Sequence, residues 1–293
     1  MCGRRGKVYC FDSEVFGENG SISFYIVKAE KAAIVETGPT SVVERVLEGL
    51  EGLEIDREGV NYIFVTHLHL DHGGGVGKLI EFLPKAKVVC HPKAVKHLLN
   101  PEKLWEASLN TLGMVAEGYG KPESVAEERL LPVEEGMEID LGDDSMLCIL
   151  TPGHAPHHSS FFLEKDQILF PGDSAGVYAF DKLIPTTPPP FKLEDAITSL
   201  EKMIELRPKT IAFTHFGFAE NGRLLEKLKD KLLMWGETAV EVARGGGDIQ
   251  TLHSKIYEVD PDYKELYDLT KDSLIISGFH KLTLLGLLDY AGR

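Results

Sequence analysis

The stretch NYIFVTHLHLDHGGG, residues 61–75, restricts the fold more than any other. A hydrophobic run ends in three histidines and one aspartate, and three glycines follow at once. If the run is a buried strand, alternation puts His67 and His69 on one side of the chain. Asp71 and His72 then fall where the glycines let the backbone turn from strand end to helix. Gathering imidazoles and a carboxylate at one point is costly without a positive charge, and these donors suit a borderline divalent cation such as zinc. The alternative is a solvated loop that happens to be rich in histidine.

Three later stretches repeat the pattern of a strand ending in a ligand type beside small residues. TPGH places His154 after Pro152 and Gly153, LFPGD places Asp173 after Pro171 and Gly172, and AFTH ends on His215. Any one of these alone reads as an ordinary structural residue. Together with the first cluster they read as the missing part of a metal site.

The pattern between them alternates. Residues 21–27, 31–38, 61–67, 86–92, 145–153 and 209–215 are expected as strands, and 159–173 as a hairpin turning near Lys165 and Asp166. Helices are expected over 39–53, 77–84 and 191–208, the last closed by Pro208. Residues 100–135 break the alternation and are expected to form a helical cap carrying Trp105, Met114 and Tyr119. From 217 onward the spacing is helical only.

Acidic residues outnumber basic ones, 46 to 31, and the net charge of −15 repels phosphate backbones and anionic lipid heads. Nucleic acid and membrane are therefore not expected as partners. No stretch is apolar for long enough to span a bilayer, and the basic N-terminus has no hydrophobic region behind it, so a cytoplasmic protein is expected. Cys2, Cys10, Cys90 and Cys148 lack CxxC spacing and are expected as free thiols.

The order HLHLDH, TPGH, PGD and strand-terminal TH, across residues 66–215, resembles the metallo-beta-lactamase superfamily, in particular its glyoxalase II-like and lactonase-like hydrolases. The resemblance implies an α/β fold, a four-layer αβ/βα sandwich of two mixed β-sheets flanked by helices. It would comprise a catalytic domain over 1–216, interrupted by the cap at 100–135, and a C-terminal helical subdomain over 217–293. It further implies two divalent metal ions, zinc first, with iron or manganese as alternatives: His67, His69 and His154 on one, Asp71, His72 and His215 on the other, and Asp173 bridging them. Glu36, at the end of an inner strand, is a candidate for fixing the far nitrogen of one of these rings, although many relatives have Asp there. TPGHAPHHSS departs from the common TPGHTPGHS at Ala155 and His157, and His157 and His158 read as supporting residues because the ligand set is complete without them.

A hydroxide held between two such ions would attack a small ester, lactone or thioester, with Asp71 orienting it. Tyr178, soon after Asp173, is the candidate oxyanion donor. Trp105, Met114, Tyr119, Tyr178, Phe180 and Phe216 are candidates for an apolar wall over the site. In the C-terminal helices Phe279 is expected in the core and His280 on the surface. The partner expected is a small-molecule substrate, and the helical tail and cap offer apolar surface for a homodimer. Three other readings stay open: a phosphodiesterase on the same scaffold, an iron-dependent persulfide dioxygenase, and a ligand-binding sensor without turnover.

Overall fold

Strand Ser23–Val27 shows how the chain divides its apolar residues, since every side chain in it is buried. Phe24 and Ile26 point to one face and join Val43, Val46 and Leu50 from helix Val43–Gly52. Tyr25 and Val27 point to the other and join Phe161, Leu163 and Phe170 from a second sheet. Each large side chain so buried contributes about 1.5–3 kcal/mol. Burial on both faces explains why such strands read as continuous apolar runs rather than alternating ones.

The computed structural model describes residues 1–292, leaving aside the side chains of residues 274–277. One sheet has seven strands in chain order: Gly3–Arg5, Val8–Asp12, Ser23–Val27, Ala32–Val35, Val60–Phe64, Lys87–Cys90 and Leu130–Pro132. Its first four are antiparallel and its last four are parallel. The other sheet has six strands, in the order Gly217–Ala219, Thr210–Phe213, Ile168–Phe170, Ser159–Leu163, Ser145–Leu150 and Glu138–Asp140. Only Ile168–Phe170 and Thr210–Phe213 run parallel in it. Helices Val43–Gly52, Val76–Ile80 and Val95–Leu99 cover the outer face of the first sheet, and Leu193–Glu205 and Arg223–Arg244 that of the second. The molecule is thus the four-layer sandwich of two mixed sheets that the sequence motifs implied.

Parallel pairing brings strand ends to a common rim. Val35 lies opposite Phe64 and Phe64 opposite Val89, so Glu36 and Thr66 emerge side by side. Two main-chain bonds of 2.8 Å cross between the sheets at this rim, from Ser159 to Thr66 and from Ser23 to Thr214. They fasten the residues before His67 and His215 each to the facing sheet.

Two expected boundaries shift. Over 100–135, helices Glu102–Leu112 and Met114–Tyr119 form, but Leu130–Pro132 is the last strand of the seven-stranded sheet. The division at 216/217 falls inside a hairpin, because Gly217–Ala219 pairs with Thr210–Phe213. Helices Arg223–Arg244, Ile249–Val259, Pro261–Thr270 and Leu274–Ala291 follow, and one apolar cluster runs from Ile211 and Phe213 through Leu228 and Trp235 to Tyr263 and Leu287. The expected hairpin at 159–173 forms, with Phe161 opposite Phe170. The strands Gly3–Arg5, Val8–Asp12 and Val177–Ala179 were not anticipated, being too short or too exposed to show a period. Among the described residues no helix is long and apolar enough to cross a membrane.

Candidate metal centre

Each candidate ligand sits just beyond a strand. His67 and His69 follow Val60–Phe64, and Asp71 and His72 lie in the single turn Leu70–Gly73. His154 follows Ser145–Leu150, Asp173 lies in the turn Gly172–Ala175 after Ile168–Phe170, and His215 follows Thr210–Phe213. All seven converge at one rim. Their donor atoms form three overlapping groups, each within 4.8 Å: His67, His69 and His154; His67, His72 and Asp173; Asp71, His72 and His215.

Asp173 lies between two ends of the cluster. Its Oδ2 is 3.4 Å from His154 Nε2, while its Oδ1 is 3.3 Å from His72 Nε2 and 3.6 Å from His215 Nε2. Asp71 Oδ2 faces the second end only, 3.5 Å from His215 Nε2 and 3.8 Å from His72 Nε2.

The outward nitrogens of His67, His72, His154 and His215 are already engaged. His72 Nδ1 donates to Glu36 Oε1 at 3.0 Å, His154 Nδ1 to the Thr186 carbonyl at 3.1 Å, and His215 Nδ1 to the Ser21 carbonyl at 2.6 Å. The Thr66 hydroxyl donates to Glu36 and so accepts from His67 Nδ1 at 3.0 Å. Fixing the proton on Nδ1 leaves the lone pair on Nε2. The inner ring nitrogens crowd together: His154 Nε2 is 3.1 Å from His69 Nδ1, His67 Nε2 is 2.9 Å from the same atom, and His215 Nε2 is 3.3 Å from His72 Nε2. Oδ1 of Asp173 is buried with no hydrogen-bond donor. Buried ring nitrogens and carboxylate oxygens crowded at one point suit a cation between them, and the donor set of imidazoles and carboxylates fits one.

The electrostatics divide along the same line. Burial, reinforced by neighbouring imidazoles, holds His67 well below its ordinary value and His69 down at about 3, and burial lowers His154 as well. Burial also opposes the charge on His72 and His215, but Asp173 and Asp71 outweigh it and raise both, with Glu36 adding to the effect on His72. Burial works against the two carboxylates too, yet the surrounding histidines bring Asp71 to about 2 and Asp173 well below the usual range. One end is therefore an array of neutral imidazoles and the other is rich in anionic charge.

Other expected site residues fall elsewhere. The Tyr178 phenol is turned away and donates to Asp181 Oδ1 at 3.0 Å, while its ring stacks on Phe213 at 5.2 Å. It meets the centre through its backbone, since its carbonyl accepts from Phe216 N at 2.9 Å. Met114 and Phe180 are exposed, at 79% and 63%, and line no wall. Tyr119 and Trp105 do join an apolar cluster with Val15, Ile22 and Leu70 beside the ligands, and Phe279 joins it from the last helix, its ring 4.9 Å from His215. His280 is buried rather than on the surface, between the rings of Tyr263 and Tyr267. His158 stacks on His67 at 4.8 Å with Nδ1 2.9 Å from Thr151 Oγ1, and His157 stands 6.4 Å from both His67 and His69. Both border the donor groups without joining them. Thr66, Ser21 and Thr186 escaped sequence reasoning, since two act through their carbonyls and one through a hydroxyl that only the fold aligns.

The family model of the metallo-beta-lactamase superfamily matches residues 17–215. The metallo-beta-lactamase fold-containing protein ST1585 of Sulfurisphaera tokodaii is 37% identical over 201 residues, 67% of this chain and 76% of that one. The crystal structure of ST1585 superposes with a TM-score of 0.68 at 31% identity, covering 79% of this chain and 87% of that chain. The metallo-beta-lactamase family protein TTHA1429 of Thermus thermophilus shares the fold over 97% of this chain and 92% of its own, with a TM-score of 0.70 at 21% identity. The N-acyl homoserine lactonase AttM of Azorhizobium caulinodans is 26% identical over 166 residues, 55% of this chain and 59% of its own. With the motif order, the sandwich and the family match in agreement, the chain belongs to the metallo-beta-lactamase superfamily.

Proposed function

We propose that the chain is a hydrolase of small esters, lactones or thioesters that works with two divalent metal ions, zinc first among them. The observation that carries this reading is the placement of Asp173, with one oxygen toward His154 and the other toward His72 and His215. His67, His69 and His154 would hold one ion and Asp71, His72 and His215 the other, with Asp173 shared. Two such ions supply the Lewis acidity that lowers the pKa of water to near neutrality and polarises a carbonyl oxygen. The chain's own part is to turn its ring nitrogens toward the centre and fix the orientation of the rings. Glu36, Thr66, Thr186 and Ser21 do so by occupying the far nitrogens. Asp71 stays ionised, and its part in this reading is to orient the attacking water. Phe279, Tyr119 and Trp105 form the apolar flank that limits water around the substrate.

A carbonyl substrate is favoured over a polynucleotide by the net charge of −15, and the lactonase among the relatives supports the same class. The test is metal analysis of protein purified without chelators, coupled to turnover on a panel of esters, lactones, thioesters and phosphodiesters. Near two equivalents of zinc with cleavage of a carbonyl substrate is the expected result. Cleavage of phosphodiesters alone, iron with oxygen uptake on a persulfide, or no turnover by metal-replete protein would overturn it.

A further inference from the structure

Two of the four cysteines meet at the open edge of the first sheet. The Cys2 amide donates to the Cys10 carbonyl at 2.8 Å, next to the paired residues Gly3 and Cys10, so Cys2 and Gly3 both lie opposite Cys10. The two thiols are close enough to act on each other's charge, and the hydroxyls of Tyr25 and Ser23 act on the Cys10 thiol as well. Cys2 is exposed and Cys10 is buried. We propose that Cys2 and Cys10 form a redox-active pair that closes to a disulfide when the chain meets a peroxide.

The roles follow from the environments. Cys2 is the exposed thiol and the Cys10 thiol beside it lowers its pKa, so Cys2 is the group that a peroxide meets first and the attacking sulfur. The neighbouring Cys2 thiol, with burial, raises Cys10, which keeps its proton until it resolves the intermediate. Cys90 lies opposite Pro132 and Cys148 opposite Phe161, both buried, so neither has a cysteine across its strand pair to close onto. The Cys2 sulfur attacks one peroxide oxygen, the O–O bond breaks, and the first water leaves with the Cys2 proton. The Cys10 sulfur then attacks the resulting sulfenic acid, the S–O bond breaks, and the second water carries off the Cys10 proton. The two sulfurs lose two electrons and the peroxide gains them.

The bond would fasten strand Gly3–Arg5 to Val8–Asp12 at the sheet edge. The experiment treats the full metal-replete chain with a small excess of hydrogen peroxide. The expected results are a loss of two hydrogens in intact mass, a peptide joining Cys2 to Cys10 within one chain, and a rise in Tm that dithiothreitol reverses. C10S should instead accumulate sulfenic or sulfinic acid at Cys2. Oxidation of wild-type Cys2 to sulfinic acid with Cys10 still alkylatable, a Cys2 disulfide between two chains, or two free thiols after treatment would overturn the proposal.

Discussion

Asp173 is the residue whose chemistry the neighbours depend on most, because its two oxygens face different histidines and one of them has no hydrogen-bond donor. Asp173→Asn keeps the shape and removes the charge. It should lower kcat/KM by about 100-fold or more and cost at least one equivalent of bound metal, read by steady-state kinetics and metal analysis. Glu36→Gln should weaken metal binding by about 10- to 100-fold, measured by competition with a chelating dye, because Glu36 holds His72 Nδ1 and the Thr66 hydroxyl together. Tyr178→Phe should leave kcat within about twofold, since its hydroxyl serves Asp181. At this scale the ligand types were legible, because imidazoles and carboxylates at the ends of apolar runs have little other reason to be there. Tyr178 was misjudged because nearness in sequence to Asp173 says nothing about where a phenol turns.

At the scale of elements, the centre depends on turns that carry the chain abruptly out of strands. Gly172 has φ +53°, and a Cβ there would lie 2.6 Å from Thr66 Oγ1 and 2.7 Å from His158 Nε2. Gly172→Ala should therefore destabilise by about 2–4 kcal/mol and lower metal occupancy, seen in denaturant unfolding and metal content. The last helix carries a titrating anchor. His280 bonds Thr270 Oγ1 at 3.0 Å, and burial, followed by His253, brings its pKa down to about 4. A histidine depressed in the folded state lends stability that is complete above its unfolded pKa, near 6.5, and is lost as pH falls toward 4. Unfolding monitored from pH 7 to 4 should show that loss, and His280→Asn should reduce it. Long apolar strands were legible from composition alone. Short edge strands such as Leu130–Pro132 were not, because three residues carry no period.

For the whole molecule, the ligands come from both sheets, so the centre also clamps the sandwich. Removing metal leaves buried lone pairs and carboxylates facing one another. Dialysis against a chelator should lower Tm by about 5–10 °C, with recovery on adding zinc, followed by circular dichroism. The chemistry available is already written along the chain: seven nitrogen and oxygen donors at strand ends, glycines where the chain must turn, and apolar runs long enough for a two-sheet core. Those features are local, and local patterns are legible because each residue type has its own geometric demand. It takes the packed fold to divide the oxygens of Asp173 between two ends, to bring Glu36 to His72, and to set Phe279 beside His215. Those contacts join residues distant in the chain, and their directions are set by how two twisted sheets pack, which no spacing in the sequence encodes.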